Sequence, residues 1–536
     1  MDKQISTPRE VANYVEVVHK QLYFAVLSGK EIIKLKYSNN NNNKVLFFCI
    51  DDEFYYENYY NDFGPFNISC LYKYCLKIRK YIDCAKGVKC VVHYTSEYPE
   101  KKANAACLMG LFCIMYLNFQ PKDIWNILLK LGPYKLFWDA SLQSCGFHLR
   151  IIDCLYSIQR AVTYNFVNFD DFDVSEYDTC DKLQYGHMNW LLPRKFLAFI
   201  GPADNRTAHS PHFYIKYFLN NDVKTIIRLN VPSYNAAAFT KVGIEHFDLI
   251  FPDGSTPSKD VVIKFLAIAE AAPAAIAVHC KAGLGRTGSL IGAYLMKHYQ
   301  MSAREAIAWM RMCRPGSVIG QQQLWLEKVE SWLWKTGIEY RLRLFGAMDA
   351  IPKHAYGIYS KQWLRDREKI ITETRRKLRP TLARTKISKG SEKNISLSVE
   401  SFAKMSRIQK HNRRKMTEDN IQGHPFKNFT KLLGDVRLQN KRPSTLGNNL
   451  NRKTTVCNSP KHSFIPSFAK SSFTSRNERG RNEQLFTPIP DKRKAQKITQ
   501  GDRLNQIKAS WNSNKPFEYR PYTENITQRK FLSNLS

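Results

Sequence analysis

Residues 275–288 read AIAVHCKAGLGRTG, and the rest of the chain is read outward from them. Ala275 to Val278 is a short apolar run ending at His279 and Cys280. A glycine-rich loop follows, then Arg286-Thr287-Gly288 and the helical run SLIGAYLMKHY. The pattern is strand, loop, helix, with a thiol at the strand tip and a guanidinium six residues on. A loop that turns into a helix N-terminus gathers backbone N–H groups and the positive end of the helix dipole. A thiol inside such a nest ionises readily, because the same dipoles stabilise the thiolate. Arg286 presents a planar fork matched to two phosphate oxygens, which Lys would not. Gly283, Gly285 and Gly288 let the backbone close around a small anion, with Lys281, Ala282 and Leu284 completing the loop. Thr287 adds a hydroxyl for the thiolate or a cysteinyl-phosphate. An isolated Cys-x5-Arg is more often a structural cysteine beside a packed strand. Here His, Cys, three glycines, Arg and Thr all fall in place, which points to nucleophilic phosphate chemistry at Cys280.

Upstream, EHFDLIF (245–251) reads as a strand and is followed by PDGSTPS. Thr256 and Pro257 suit an N-cap and first turn, with a helix running to about Ala271. Asp253 then sits in a loop at a strand end, 27 residues before Cys280. A carboxylic acid there can protonate the oxygen that departs when the thiolate attacks phosphorus. Asp248 is the second candidate, but it lies inside the apolar strand run and reads as structural. Downstream, Ala303 to Cys313 is a helix ended by Arg314-Pro315-Gly316, and Gln321-Gln322-Gln323 opens a last helix through Trp334. The amide of Gln321 or Gln322 can orient the water that hydrolyses a cysteinyl-phosphate. Capping of the helix accounts for the glutamines nearly as well.

Strands FLAFI (196–200) and TIIRL (225–229) place the start of this α/β domain near Trp190. In the front of the chain, Val15, Val18, Leu22 and Ala25 can share one face of a helix, and Ile32 to Lys36 alternates like a strand. Asn39 to Asn43 is a solvated insertion, Val45 to Ile50 a strand, and Ile68 to Ile82 a helix. KCVVHYT (89–95), followed by a long helix from Ala103 to Phe119, reads as a weak internal copy of the central stretch. Tyr94 stands where the nucleophile would be, and Glu100 where the arginine is needed; a carboxylate there repels phosphate. Residues 146–165 are a further helix. FDDFDVSEYDTCD (169–181) is either a solvated linker, the usual fate of a charge run, or an acidic wall selecting basic substrates.

The chain has 536 residues and a net charge of +34. From Lys361 onward there are 40 Lys+Arg against 14 Asp+Glu, so the excess belongs to the tail. No run of about eighteen uncharged apolar residues marks a bilayer span, and Ala103 to Phe119 reads as a buried helix instead. MDKQISTPREV has no apolar h-region, so a secretory signal is not expected. The 13 cysteines are scattered without zinc spacing. Most fall in apolar runs, as Cys107, Cys113 and Cys154 do, which suits buried free thiols in a reducing compartment, with no metal and no cofactor. Beyond a basic helix from Lys361 to Leu378, Ser, Asn, Lys and Arg dominate, a composition typical of disorder. Arg413-Arg414-Lys415 and Lys492-Arg493-Lys494 suit nuclear import or polyanion contacts. Phe429, Leu432, Val436 and Leu438 space like an export signal, and Ser459-Pro460 and Thr487-Pro488 suit proline-directed kinases.

HCKAGLGRTG, with FPDGSTPS before it and RPGSVIGQQQ after it, resembles the Cdc14 family of dual-specificity protein phosphatases, within the wider class of cysteine-based phosphatases. HYTSEYPEKKANAACLMG, DASLQSCGFHLRIIDCL and NWLLPRKFLAFIGP extend the resemblance to roughly residues 10–350. It implies two tandem phosphatase-like α/β domains, each a central sheet flanked by helices, only the second catalytic, with a basic disordered tail. The boundaries expected are 1–165, an acidic interdomain groove at 166–189, a catalytic domain at 190–345, a helical extension at 346–380 and a tail at 381–536. Cys280 matches the family's nucleophile, Arg286 its phosphate-binding arginine and Asp253 its general acid. EYDTCD resembles the stretch whose carboxylates contact a basic residue of the substrate, which places Glu176, Asp178 and Asp181 in specificity roles. A third acidic position of that stretch is His187 here, only partly charged near neutrality, which weakens the expected basic requirement.

The activity implied is hydrolysis of phosphoserine followed by proline and a downstream basic residue, and of phosphothreonine and phosphotyrosine. Partners would be substrates of cyclin-dependent kinases in mitotic exit, cytokinesis or ciliary control. The compartments implied are nucleus and cytoplasm, with nucleolus, spindle, centrosome or cilium base. Two alternatives compete. A phosphoinositide phosphatase tends to carry a second lysine in the loop, where Leu284 stands here. A scaffold acting through its basic tail on polyanions or the cytoskeleton would need no catalysis.

Overall fold

The computed structural model describes residues 13–37, 45–85, 89–143, 146–204, 209–383 and 498–511. The front half opens with an antiparallel hairpin, β1 (Tyr14–Val18) and β2 (Leu22–Leu27), followed by α1 (Gly29–Tyr37) and β3 (Val45–Phe48). The helical spacing of Val15, Val18, Leu22 and Ala25 misleads, because all six residues of β2 are buried. A strand covered on both faces has no alternation to betray it. The alternation at Ile32 to Lys36 belongs to α1, contrary to the expected strand.

Helix α2 (Ile68–Ala85), β4 (Cys90–Ser96), α3 (Pro99–Leu117), α4 (Pro121–Leu129) and α5 (Ile151–Thr163) complete this half. Its sheet order is β1-β2-β4-β3, with β4 parallel to both neighbours. Helix α6 (Val174–Cys180) lies inside the acidic stretch; Asp173 caps it by accepting from the N–H groups of Ser175 and Glu176. A turn of 3-10 helix at Leu183–Tyr185 leads to the second sheet.

That sheet begins with another antiparallel hairpin, β5 (Met188–Leu192) and β6 (Phe196–Phe199). Then come α7 (Pro211–Asn220), β7 (Val223–Arg228), α8 (Ala237–Thr240), β8 (Glu245–Asp248), α9 (Lys259–Ala271), β9 (Ala275–His279) and α10 (Gly285–Tyr299). Ser258 caps α9, two residues after the expected Thr256. Helices α11 (Ala303–Cys313) and α12 (Gln321–Phe345) follow, the latter eleven residues longer than its apolar start suggested.

The second sheet has the order β5-β6-β9-β7-β8, which is the first sheet's order plus one edge strand. Phe24 pairs with His93 in the first sheet as Phe199 pairs with His279 in the second. The internal copy read in the sequence is therefore a repeat of topology and register. One continuous apolar core runs through both halves, and Arg304 ties α11 to the front half by donating to the His148 carbonyl at 2.8 Å.

Helix α13 (Lys361–Ala383) extends the fold. A final helix, α14 (Gln500–Trp511), packs on residues of both halves. The expectation of disorder from residue 381 onward therefore does not hold for residues 498–511. The basic clusters, the export-like spacing and the Ser-Pro and Thr-Pro pairs noted above lie outside the described residues. Cys107, Cys113 and Cys154 are buried. Among the described residues, no helix is long and apolar enough to cross a membrane, and no group of His, Cys, Asp and Glu could hold a metal ion.

Candidate active site

Strand β9 is buried along its whole length, so its C-terminal tip delivers Cys280 into the interior rather than to solvent. The chain then turns through residues 281–284 into α10. Gly283 adopts φ +71, and a Cβ there would lie 2.0 Å from the Phe199 carbonyl oxygen, so only glycine fits. Burial alone would raise the Cys280 thiol. The Arg286 charge and the nearby Thr287 hydroxyl and backbone N–H outweigh it, and the thiol lies below its ordinary value.

Arg286, in the first turn of α10, is buried and anchored by its Nη1 to the carbonyls of Phe251 (2.9 Å) and Leu229 (3.3 Å). Its Nη2 faces Asp253 Oδ1 at 3.1 Å. Its Nε is buried without a hydrogen-bond partner, a donor that an anionic phosphate oxygen would satisfy. Cys280, Arg286 and Asp253 thus meet at one point although α9 and β9 separate Asp253 from the other two in sequence. Asp248 does not join them. It receives a two-pronged interaction from Arg228, at 2.7 Å and 2.8 Å, as its place in a strand suggested.

The two glutamines part company. Gln322 is buried, and its amide is committed at both ends: Oε1 accepts from Ile319 N–H, and Nε2 donates to the Ser255 carbonyl, each at 3.1 Å. It thereby ties α12 to the loop that carries Asp253. Gln321 is exposed at the start of α12.

Arg314, which the sequence marks only as the end of a helix, is fully buried beneath the phosphate loop. Its guanidinium donates to the carbonyls of Gly283 (2.8 Å), Ala282 (3.0 Å) and His187 (2.8 Å) and to Asn189 Oδ1 (2.6 Å). Loop carbonyls held from outside leave the loop amides turned the other way, because each peptide is planar. No pattern around RPG betrays this; the partners come from β5 and from the loop itself.

The acidic stretch divides as well. Asp178 pairs with Lys73 at 2.8 Å. Asp181 Oδ1 accepts from Asn189 Nδ2 at 3.0 Å, with Oδ2 left facing a groove. Glu176 points elsewhere: it accepts from the Tyr217 hydroxyl at 2.8 Å, and burial raises its pKa. It therefore does not share the wall with Asp178 and Asp181. His187 is buried against Arg314, and burial together with that charge pushes its pKa well below the ordinary value. It is a neutral packing residue and not the partly charged wall residue expected.

Asp178 and Asp181 line a cavity of about 440 Å³ with Tyr56, Glu57, Asn67 and Lys182. Helix α14 runs from the catalytic centre into this space. Gly501 N–H donates to Asp253 Oδ2 at 2.9 Å, and Asp502 bonds Lys281 of the phosphate loop at 2.6 Å. Leu504 is buried among Tyr59, Ala140, Ala282, Leu284 and Ile319. Lys508 lies 3.9 Å from Asp181 and 4.0 Å from Glu57, and Trp511 meets the Tyr59 ring at 4.8 Å.

Residues 16–161 match the family model for the N-terminal half of dual specificity protein phosphatases, and residues 209–330 match the catalytic domain of dual specificity phosphatases. The mouse (Mus musculus) dual specificity protein phosphatase CDC14B is 46% identical over 309 residues, covering 56% of this chain and 64% of that protein. The human (Homo sapiens) CDC14C is 45% identical over 309 residues, covering 56% of this chain and 69% of that protein. The Caenorhabditis elegans tyrosine-protein phosphatase cdc-14 is 39% identical over 292 residues, covering 52% of this chain and 41% of that protein. The chain thus spans between about two fifths and two thirds of the length of these relatives. A phosphate loop at the tip of β9, a second phosphatase-like half beside it, and this degree of identity have one reading: the chain belongs to the Cdc14 family of dual-specificity protein phosphatases.

Proposed function

We propose that this chain removes phosphate from serine, threonine and tyrosine side chains of proteins through a cysteinyl-phosphate. The observation that carries the reading is the meeting of Cys280, Arg286 and Asp253 at one buried point. In the first step the Cys280 thiolate attacks phosphorus while Arg286 and the loop amides hold the non-bridging oxygens. The leaving serine oxygen takes its proton from Asp253 as the P–O bond breaks. In the second step a water attacks the cysteinyl-phosphate and gives its proton back to Asp253. Thiolate and inorganic phosphate are released, and no redox change occurs. Of the two glutamines, Gln322 is the one whose amide lies against Gly285 of the phosphate loop, which supports it as the group that meets that water.

The proposed preference is phosphoserine-proline with a basic residue downstream. Support comes from within the molecule: the ammonium of Lys508 lies between Asp181 and Glu57, in a groove lined by carboxylates. A substrate lysine entering the same groove competes with α14. Reversal of cyclin-dependent kinase phosphorylation in cell-cycle, cytokinetic or ciliary control follows from that preference. The basic clusters at 413–415 and 492–494 support nuclear import or polyanion contacts.

The test is a set of peptides varying phosphoserine, phosphothreonine and phosphotyrosine, the following proline, and a lysine two further on, with Cys280→Ser as blank. Fastest turnover of phosphoserine-proline with lysine supports the full reading. Equal rates across the set leave the chemistry standing and reject the sequence preference. No turnover of any peptide, with turnover of phosphoinositides, reverses the choice of substrate class.

A further inference from the structure

Behind the phosphate loop lies a buried hydrogen-bond chain that the two-step mechanism does not use. The Tyr234 hydroxyl is 2.8 Å from His279 Nε2 and 2.8 Å from His246 Nε2. His279 Nδ1 is 2.9 Å from the Cys280 carbonyl oxygen. Tyr234 is buried on the loop after β7, His246 sits on β8, and His279 ends β9. Phe199 and Phe239 close the space around them.

The direction of every hydrogen bond in this chain is determined. A carbonyl oxygen only accepts, so His279 carries its proton on Nδ1. His279 is fully buried, and burial pushes its pKa down to about 3, so the ring is neutral and Nε2 is bare. The Tyr234 hydroxyl must therefore donate to His279 Nε2. Its oxygen, in turn, must accept from His246, which fixes that ring as the Nε2–H tautomer. The relay runs one way: His246 to Tyr234 to His279 to the Cys280 carbonyl. Protonating His246 at Nδ1 would leave this direction unchanged.

We propose that Tyr234 is a positioning residue for the reaction: its hydroxyl, set by His246, locks His279 in the tautomer that holds the Cys280 carbonyl. With that carbonyl fixed, the planar peptide aims the Lys281 N–H away from His279 and toward the loop side, where it favours the anionic sulfur. The inference rests on the reading of Cys280 as a thiolate nucleophile but concerns the thiol itself.

Other charges face these groups. Arg228 stacks on the Tyr234 ring at 4.6 Å and donates to its carbonyl at 2.8 Å. Asp248 lies 3.8 Å from His246 Nδ1, and Asp204 acts on Tyr234 from the loop after β6. Arg286, Asp253 and Arg314 act on the sulfur. None of these is altered by removing one hydroxyl, so Tyr234→Phe isolates the relay.

The experiment is the rate of Cys280 alkylation by iodoacetamide against pH in the full chain, with Cys280→Ser subtracted to remove the other thiols. Tyr234→Phe is expected to move the midpoint up by about half to one pH unit, the scale of one hydrogen bond among several, with the high-pH plateau unchanged. A wild-type midpoint, or a plateau lowered at every pH without a shift, overturns the proposal. Should Tyr234→Phe not fold, His246→Gln retains an N–H donor at the head of the relay and His246→Leu does not. The Leu variant should shift the midpoint while the Gln variant restores most of it, and a Leu variant with the wild-type midpoint also overturns the proposal. Alkylation reads the thiol whether or not any phosphopeptide is a substrate. A depressed thiol pKa without peptide turnover would therefore count against the phosphatase reading alone.

Discussion

Arg286 Nη2 stands 3.1 Å from Asp253 Oδ1, so the side chain proposed to grip phosphate also holds the carboxyl proposed to protonate the leaving group. The pair assembles because Nη1 of the same guanidinium is pinned to the carbonyls of Leu229, just after β7, and Phe251, two residues before Asp253. The proposed phosphate grip and the proposed proton donor are therefore joined in one bonded unit.

Asp253→Asn keeps the shape of that unit but cannot give a proton. Turnover of a phosphoserine peptide should fall by about 10²- to 10⁴-fold, the usual contribution of a positioned acid. An aryl phosphate with a good leaving group should lose much less. Rates on the two substrates, compared side by side, check this; equal losses would remove Asp253 from the acid role.

Arg286→Lys replaces the fork by a point charge. The two anchoring carbonyls lose their donor geometry, and kcat/KM should drop by about 10²-fold or more, from loss of one or two charge-assisted hydrogen bonds. Inhibition by inorganic phosphate should weaken in parallel, which a competition assay reads directly.

The two aspartates of the groove should not be equivalent. Asp178 is already balanced by Lys73 at 2.8 Å, whereas the nearest cation to Asp181 belongs to α14 at 3.9 Å. Asp181→Asn should reduce discrimination between lysine- and alanine-containing peptides several-fold. Asp178→Asn should change it by less than about twofold, as for a screened surface pair. Ratios of kcat/KM for the two peptides measure both.

Lys508→Glu in the full chain reverses the charge that faces Asp181 and Glu57. Expelling α14 from the groove should lower KM for a lysine-containing phosphopeptide by about three- to tenfold, the scale of one partly screened ion pair with its neighbours. An unchanged KM would show that the helix and the peptide do not compete.

Four buried histidines make acid costly to the fold. Burial lowers the pKa of His93 and His279 to about 3, and of His246 and His354 to about 4. Below pH 6.5 the unfolded chain takes up protons that these folded sites refuse. Stability is therefore full above that pH and declines as pH falls toward the folded values. Each site removes up to about 1.4 kcal/mol per pH unit in that window. Urea unfolding at pH 7 and pH 5 should show the loss, and His93→Gln should lessen its slope.

The phosphate loop was legible because its constraints are local and chemical: Cys280, Arg286 and the glycines serve one anion within a few residues. Asp253 was legible from its place after a strand. The β1–β2 hairpin was not, since a strand buried on both faces shows apolar residues at every spacing, including a helical one. Glu176 and His187 carry residue types suited to a wall, but the direction in which a side chain leaves α6 or a left-handed turn is decided by packing against Tyr217 and Arg314. Arg314 itself gave no sign, because its role exists only once β5 and the loop converge on it. Helix α14 was hidden by its composition: six of its twelve residues are Asp, Arg, Asn, Gln or Lys, and the apolar Leu504 and Trp511 find their partners only on the folded surface.

Arg314 also joins two tasks that a protein engineer would prefer to vary separately. Asp181 bonds Asn189, Asn189 bonds Arg314, and Arg314 bonds the carbonyl of Gly283. Rebuilding that corner to change the proposed preference for basic sequences would also disturb the phosphate loop. New preferences are more cheaply drawn from Asp178 and Glu57, whose carboxylates stand outside that chain of bonds. Natural variation in the groove should drift along the same line, with change concentrated at the unlinked positions while Asn189 and Arg314 stay fixed.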